Sequence, residues 1–334
     1  MPTSPNILLA ALLVLAAPAW ADTDYRLGRG YRVGDTGWRL GGYASIGAEA
    51  PHGGDWSLQA NDLSLFLSWD RGGRFRFFSE LEVGDAIHAG EKHGLSTSEA
   101  HFEFERGYLD AILTDWTTLR LGKFLTPIGR WNLIHADPLV WTATRPLATE
   151  DLFAKNANGA MLHGNLPVGG QTLEYAVYAD FTNTLDPHRS DDPFDHAYGG
   201  HLLYSIDEHL QLGMSYAAFE HEWNNNGVHH LVGLEGLWSR NQYELSGEWV
   251  FRSGKNRDAW QGFVQGVAPL GAHWYAVGRY ELFGAERQPL GQAGVFGLAL
   301  RPIPPLVWKV EYRLGTNNEQ KLPDGLFGSF AVLF

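Results

Sequence analysis

From about residue 37 onward the chain alternates, residue by residue, between apolar and charged side chains. In 72–84, Phe75, Phe77, Leu81 and Val83 alternate with Arg74, Arg76, Glu80 and Glu82. In 304–316, Leu306, Trp308, Val310, Tyr312 and Leu314 alternate with Val307, Lys309, Glu311 and Arg313. The segments 171–182 and 241–253 repeat the pattern around Glu174 and Glu248. A period of two is the signature of a strand whose faces meet different surroundings. Here one face is apolar and aromatic, and the other carries full charges.

Sixteen such segments can be laid along the chain: 37–48, 56–70, 72–84, 99–114, 116–125, 157–166, 171–182, 196–206, 209–220, 228–239, 241–253, 258–268, 271–284, 290–302, 304–316 and 324–334. Short connections such as Thr114-Asp115, Asp207-Glu208 and Arg240-Asn241 alternate with long ones at 49–55, 84–98, 126–156, 183–195, 221–227, 253–258, 284–289 and 317–323. An even strand number with tight turns at one end and long loops at the other predicts an all-β fold, a transmembrane antiparallel β-barrel. A soluble β-sandwich also alternates, but it buries its apolar face against a second sheet. With 13 Trp and sixteen amphipathic strands, that core would be very large and no second layer is visible. No strict short repeat supports a solenoid. Trp38, Trp69, Trp116, Trp238, Trp260 and Trp274 fall near the turn-side ends of their segments, as an interfacial aromatic girdle requires.

The beginning of the chain reads differently. Ile7–Ala17 is a short apolar run, followed by Pro18 and the small-x-small site Ala19-Trp20-Ala21. It is too short for a membrane-spanning helix and suits a signal peptide at 1–21, although no Lys or Arg precedes Arg26. The expected organisation is a signal peptide cleaved after Ala21, a periplasmic N-terminal segment at 22–36, and a barrel at 37–334. The chain has no Cys, which excludes disulfides, thiolate metal sites and a Cys nucleophile. A net charge of −13 argues against a nucleic-acid partner.

Three features resemble Gram-negative outer-membrane porins. Glu105-Arg106-Gly107-Tyr108-Leu109-Asp110, then Leu119-Arg120-Leu121-Gly122-Lys123-Phe124-Leu125-Thr126-Pro127-Ile128-Gly129, is similar in wording to the strand–turn–strand before the third loop of phosphate-selective (O and P type) porins. The last strand, with Leu326, Phe330, Val332 and terminal Phe334, resembles the assembly signal of outer-membrane barrels. The longest connection, 126–156, is the third long loop, which in porins folds into the lumen. The resemblance implies a passive channel for small polar or ionic solutes in the bacterial outer membrane, among lipid and lipopolysaccharide, and a possible homotrimer. The long loops hold no basic tract, so phosphate is not carried over.

Taking the polar phase as inward, the pore wall is expected to carry the bases Arg39, Arg74, Arg76, Arg120, Arg252, Arg279, Lys309 and Arg313. The acids are Glu80, Glu82, Glu103, Glu105, Glu174, Asp180, Glu235, Glu244, Glu248, Glu281 and Glu311. Basic and acidic walls facing one another would set up a transverse field; alternatively, the charges pair across neighbouring strands. The constriction loop adds Arg130, Asp137, Arg145, Glu150, Asp151 and Lys155, with Trp131, His135 and Trp141. No cofactor is expected. His221, His229 and His230 cluster without metal-ligand spacing, and the acids Asp186, Asp191, Asp192 and Asp195 match no calcium loop. No enzyme is expected, since no Ser sits in a G-x-S-x-G context. His201 and Ser205 share a face and read as a polar pair in the lumen. A structural or conduit role remains the alternative to a channel, followed by a lipid-modifying barrel enzyme.

Overall fold

The computed structural model describes residues 25–91, 94–97, 100–134, 136–181, 193–221, 224–254, 258–286, 288–318 and 321–334, without the side chains of residues 61 and 224–226. Residues 1–24, with the expected signal peptide, His135 and the acids Asp186, Asp191 and Asp192 lie outside the described residues. Sixteen long antiparallel strands close into a barrel. They are β1 (Trp38–Pro51), β2 (Ser57–Asp70), β3 (Phe75–Gly90), β4 (His101–Thr114), β5 (Thr117–Leu125), β6 (Asn156–Val168), β7 (Gln171–Asp180) and β8 (Phe194–Ser205). The ring continues through β9 (Leu210–His221), β10 (Asn224–Arg240), β11 (Tyr243–Ser253), β12 (Ala259–Pro269), β13 (Trp274–Ala285), β14 (Gly291–Leu300), β15 (Leu306–Thr316) and β16 (Gly325–Leu333). Closure comes from β16 pairing with β1, from Gly325 opposite Pro51 to Leu333 opposite Tyr43. Phe334 extends the seam by exchanging backbone hydrogen bonds with Gly42 at 2.8 and 2.9 Å. Closure pairs the edge backbone groups that lipid could not solvate.

The side chains distribute inside-out relative to a soluble protein. Val177, Phe296 and Phe102 are 60%, 64% and 66% exposed, whereas Glu80, Arg279 and Glu281 are at most 2% exposed. Along β15 the apolar Trp308, Val310, Tyr312 and Leu314 point out, while Lys309, Glu311 and Arg313 are buried. The exterior is therefore a lipid-facing wall and the charges face the lumen.

Tight turns match their residues. Gly169 and Gly170 both take positive φ, 61° and 81°, between β6 and β7, as a two-residue type I′ hairpin requires. Asn241 and Gln242 do the same between β10 and β11, at 51° and 69°. Between β8 and β9, Asp207 accepts the N–H groups of His209 and Leu210 at 2.7 and 2.8 Å. Those bonds hold its carboxyl below the usual range.

The structure extends several elements beyond their predicted limits. β3 starts after the turn at 71–74, so Arg74 sits in that turn, and it continues through 85–90, which alternation left in a loop. A short strand, Gly94–Ser96, pairs back on it. In the segment 22–36, Tyr25–Arg26 and Gly30–Arg32 form a small ladder, and the second adds to β1. The girdle also needs correcting at Trp260. It lies on the second residue of β12, at the long-loop end, and stacks on Trp249 at 4.7 Å. The loop before β12 is one of the long ones, so this tryptophan belongs to the opposite rim from Trp38 and Trp69, which sit 6.4 Å apart at the turn side.

Candidate functional site

The loop between β5 and β6 enters the barrel. Its neck is closed by Thr126, whose N–H reaches Lys155 O (2.8 Å) and whose hydroxyl reaches Ala154 O (2.7 Å). Asn132 Nδ2 donates to Thr126 O and Lys155 O at 2.8 and 3.0 Å. Beyond the neck, Gly129 turns the chain with φ 66°, and a Cβ there would lie 2.1 Å from Glu248 Oε2. Only glycine meets both demands. Three single-turn 3-10 helices follow, at Asn132–Ile134, Asp137–Leu139 and Leu147–Thr149.

Apolar side chains of the loop pack on the inner wall. Ile128, Leu152 and Phe153 join Leu231 and Val250, Trp131 and Val140 meet Phe263, and Leu147 meets Phe283. Ala136 reaches Tyr43 and Leu333. The loop thus lies against the wall from the β9–β11 side round to β16 and β1.

Charged wall residues strap it down. Arg279 on β13 donates to Thr142 Oγ1 (2.5 Å), Thr144 O (2.9 Å) and Thr144 Oγ1 (2.9 Å), while pairing with Glu281 at 2.8 Å. Glu281 accepts Leu147 N–H at 2.8 Å, and Glu248 accepts Trp131 N–H at 2.7 Å. Glu311 accepts the N–H groups of Ala143 and Thr144 at 2.9 and 3.0 Å, and also the Thr144 hydroxyl. Lys309 bonds Asp137 Oδ1 (2.5 Å), Asp137 O (2.8 Å) and Thr142 O (3.1 Å). Arg301, just past β14, holds the carbonyls of Pro138 and Val140 at 3.0 Å each and stacks over Trp141. Charge-assisted bonds to backbone groups give an irregular segment the partners that secondary structure would otherwise supply.

The other wall residues anticipated from sequence are spread around the barrel. Arg39 is half-buried on β1, with Nη1 3.4 Å from Gly30 O. Arg76 pairs with Asp70 at 3.1 Å near the turn end, and exposed Arg74 lies beside it in the turn. Glu103 is half-buried opposite Glu82, and Glu105 pairs with Lys155 of the loop at 2.8 Å. Arg120 makes a bidentate pair with Asp110 (2.8 and 2.9 Å) and lies 3.6 Å over the Tyr108 ring. Glu174 is exposed, and Arg313 donates to Pro323 O at 2.8 Å while covering Phe327. In the loop, Arg145 stands 5.9 Å over Trp131, exposed Glu150 closes the third 3-10 turn, and Asp151 pairs with Lys321.

Glu248, Arg279 and Lys309 face inward beneath the loop, and several wall charges meet local partners, as the alternative of pairing across neighbouring strands has it. His201 and Ser205 do not pair with each other: His201 Nε2 meets Glu235 at 3.0 Å, and Ser205 Oγ accepts from Gln211 at 3.3 Å.

The alternation missed Arg106. A β-bulge at Glu105 puts one extra residue into β4, so Glu80 pairs in register with Arg106 and Leu81 with Phe104. Arg106 thereby joins the inner face and binds Glu80 at 2.5 Å. The adjacent charges Glu105-Arg106, which break the period of two, are the sequence trace of this bulge.

The loop also bounds a cavity of about 400 Å3, walled by Arg130, Leu133 and Ile134 on one side and by β4–β10 on the other, with Arg106, Tyr108, Arg120, Glu174, His201 and Glu235 among its residues.

A closed sixteen-stranded barrel with a lipid-facing exterior, a charged interior and a long loop strapped inside is a transmembrane β-barrel of porin architecture. Solved porins and channels share that fold at low sequence identity. The anion-selective porin from Comamonas acidovorans superposes with a TM-score of 0.61 at 15% identity, covering 89% of this chain and 99% of that one. Salmonella typhi OmpF, solved with daunomycin, gives 0.65 at 10% identity, covering 91% and 99%. The outer-membrane channel DcaP of Acinetobacter baumannii gives 0.61 at 12%, covering 92% and 100%. No protein-family model and no curated protein sequence matches this chain.

Proposed function

We propose that the barrel is a passive, water-filled diffusion channel of the bacterial outer membrane for small polar or ionic solutes. The observation that carries this reading is the loop 126–155 strapped across a charge-bearing interior by Glu248, Arg279, Glu281, Lys309 and Glu311. A loop held against the inner wall in this way narrows the lumen, and charged walls at the narrowing tune which solutes pass. Arg39, Arg76, Glu80, Glu103, Arg120, Glu174 and Arg313 supply the wall; Arg130, Arg145, Glu150 and Lys155 supply the loop side.

The apolar exterior fits outer-membrane lipid and lipopolysaccharide as surroundings, and the segment 1–21 fits an export signal removed after Ala21. A homotrimer fits the same architecture; one solved relative in fold, OmpT of Vibrio cholerae, is described in a trimer form. Wording shared with the phosphate-selective porins at 105–129 supports kinship with that group. Phosphate is not proposed as the solute.

Planar-bilayer recording of the purified barrel tests the reading. Stable ohmic conductance is expected, and deletion of residues 131–150 is expected to raise it. A barrel that never conducts points to the structural or conduit role instead.

A further inference from the structure

The turn-side surface of the inward loop combines two features that the strapping does not use. The first is Arg130. The other two guanidinium groups of the 400 Å3 cavity are already occupied, Arg106 by Glu80 at 2.5 Å and Arg120 by Asp110 at 2.8 Å. Arg130 is half-buried, and its side-chain bond to Gln211 Oε1 is long, at 3.4 Å. Among the described residues it has no carboxylate partner within ion-pair distance.

The second feature is apolar. Leu133 and Leu139 are 39% and 50% exposed inside the barrel, an unusual position for leucines in a lumen whose other walls carry charge. A smaller cavity of about 90 Å3 adjoins the larger one, sharing Arg130 and Ile134 and continuing past Leu139, Val140 and Trp141. Arg130 therefore sits at the junction of the two cavities, with the leucines and Trp141 on the loop side and Glu244 and Glu248 on the wall side of the smaller one. The larger cavity lies within the range of small-molecule sites, roughly 300–1,000 Å3.

The geometry points to a solute subsite here for an amphiphilic monocarboxylate, with Arg130 taking the carboxylate and Leu133, Ile134, Leu139 and Trp141 taking its apolar group. The inference rests on the channel reading and names the solute class for it. Guanidinium–carboxylate bonding supplies direction and charge, and the leucines add affinity by shedding water. Glu174 and Glu235 on the opposite wall of the cavity act against a second carboxylate, so the site selects one negative charge rather than two. Glu244 and Glu248 border the small cleft; Glu248 accepts Trp131 N–H at 2.7 Å and also attracts the Arg130 guanidinium, so a bound carboxylate competes with Glu248 for that charge.

Benzoate is the probe, with formate (charge without ring), benzamide (ring without charge) and terephthalate (two charges) as controls. Each is titrated calorimetrically into the full mature barrel in detergent, and each is added to single channels recorded in KCl. Benzoate is expected to bind and to reduce conductance, with the three controls about tenfold or more weaker. Arg130→Gln should weaken benzoate about tenfold or more, as loss of a charge-assisted bond does. Leu139→Asn should weaken benzoate several-fold and leave formate unchanged. Equal binding of benzoate to wild type and Arg130→Gln, or binding matched by formate or by benzamide, overturns the subsite. A barrel that conducts but does not bind benzoate removes the subsite alone. One that binds benzoate and never conducts removes the channel reading and leaves the subsite standing.

Discussion

Arg279 grips Thr144 twice, at its carbonyl and at its hydroxyl, both at 2.9 Å, from a strand that lies 135 residues further along the chain. The same guanidinium is fixed from behind by Glu281 at 2.8 Å, so the loop is docked on a pre-oriented, desolvated fork. Replacing Arg279 with Ala leaves buried Glu281 with only Leu147 N–H and removes one of the two grips on Thr144, the other being Glu311. The expected result is a noisier, larger single-channel conductance and a loss of about 3–5 kcal/mol in stability, as for breaking a buried pair. Arg279→Lys should fall between the two, because a point charge cannot make the fork. A recording indistinguishable from wild type would show that the remaining straps, Glu248, Lys309 and Glu311 among them, hold the loop without Arg279.

Gly129 stands where the loop leaves its neck, in a left-handed conformation against Glu248. Gly129→Ala brings a methyl within 2.1 Å of Glu248 Oε2 and strains the backbone by roughly 1–3 kcal/mol. Faster hydrogen exchange at Trp131 N–H, with the barrel strands still protected, is the expected signature. Unchanged exchange at Trp131 counts against the idea that this contact seats the loop.

Arg106 owes its inward position to the bulge at Glu105. Arg106→Ala should destabilise the barrel strongly, because Glu80, fully buried, loses its guanidinium. The double variant Glu80→Gln/Arg106→Ala should recover part of the loss in urea unfolding from lipid vesicles. No recovery would mean that Arg106 matters mainly through packing on Phe78, over which it lies at 5.0 Å.

On the exterior, Phe296 near the middle of β14 is 64% exposed and faces lipid. Phe296→Arg is expected to cost about 2–4 kcal/mol in vesicle unfolding, the usual penalty for a cation near the bilayer midplane. An arginine tolerated there would place β14 away from lipid, for example at a contact between barrels.

Lys321 and Asp151 form a more exposed pair that ties the loop to the 317–324 connection. Lys321→Ala should change stability by less than about 1 kcal/mol. A larger loss would make this contact a second strap rather than surface decoration.

The sequence alone determined the barrel and most of its inner face. Alternation with a period of two is local, so Lys309, Glu311 and Arg313 could be placed on the inside, and Trp308, Val310 and Tyr312 on the outside, without knowing any strand's neighbour. The segments 157–166 and 258–268, whose alternation is less regular than that of their neighbours, also form strands, because ring closure requires every neighbour to be paired. Tertiary structure decided the rest. Alternation cannot register an extra residue, so Arg106 was assigned to neither face. Loop 126–156 has no period, and its folding inward could be anticipated only from resemblance. Its partners Glu248, Arg279, Lys309 and Glu311 lie more than a hundred residues away on strands whose proximity exists only once the barrel has closed. That distance is why alternation places these four side chains on the inner face but says nothing of the loop they hold.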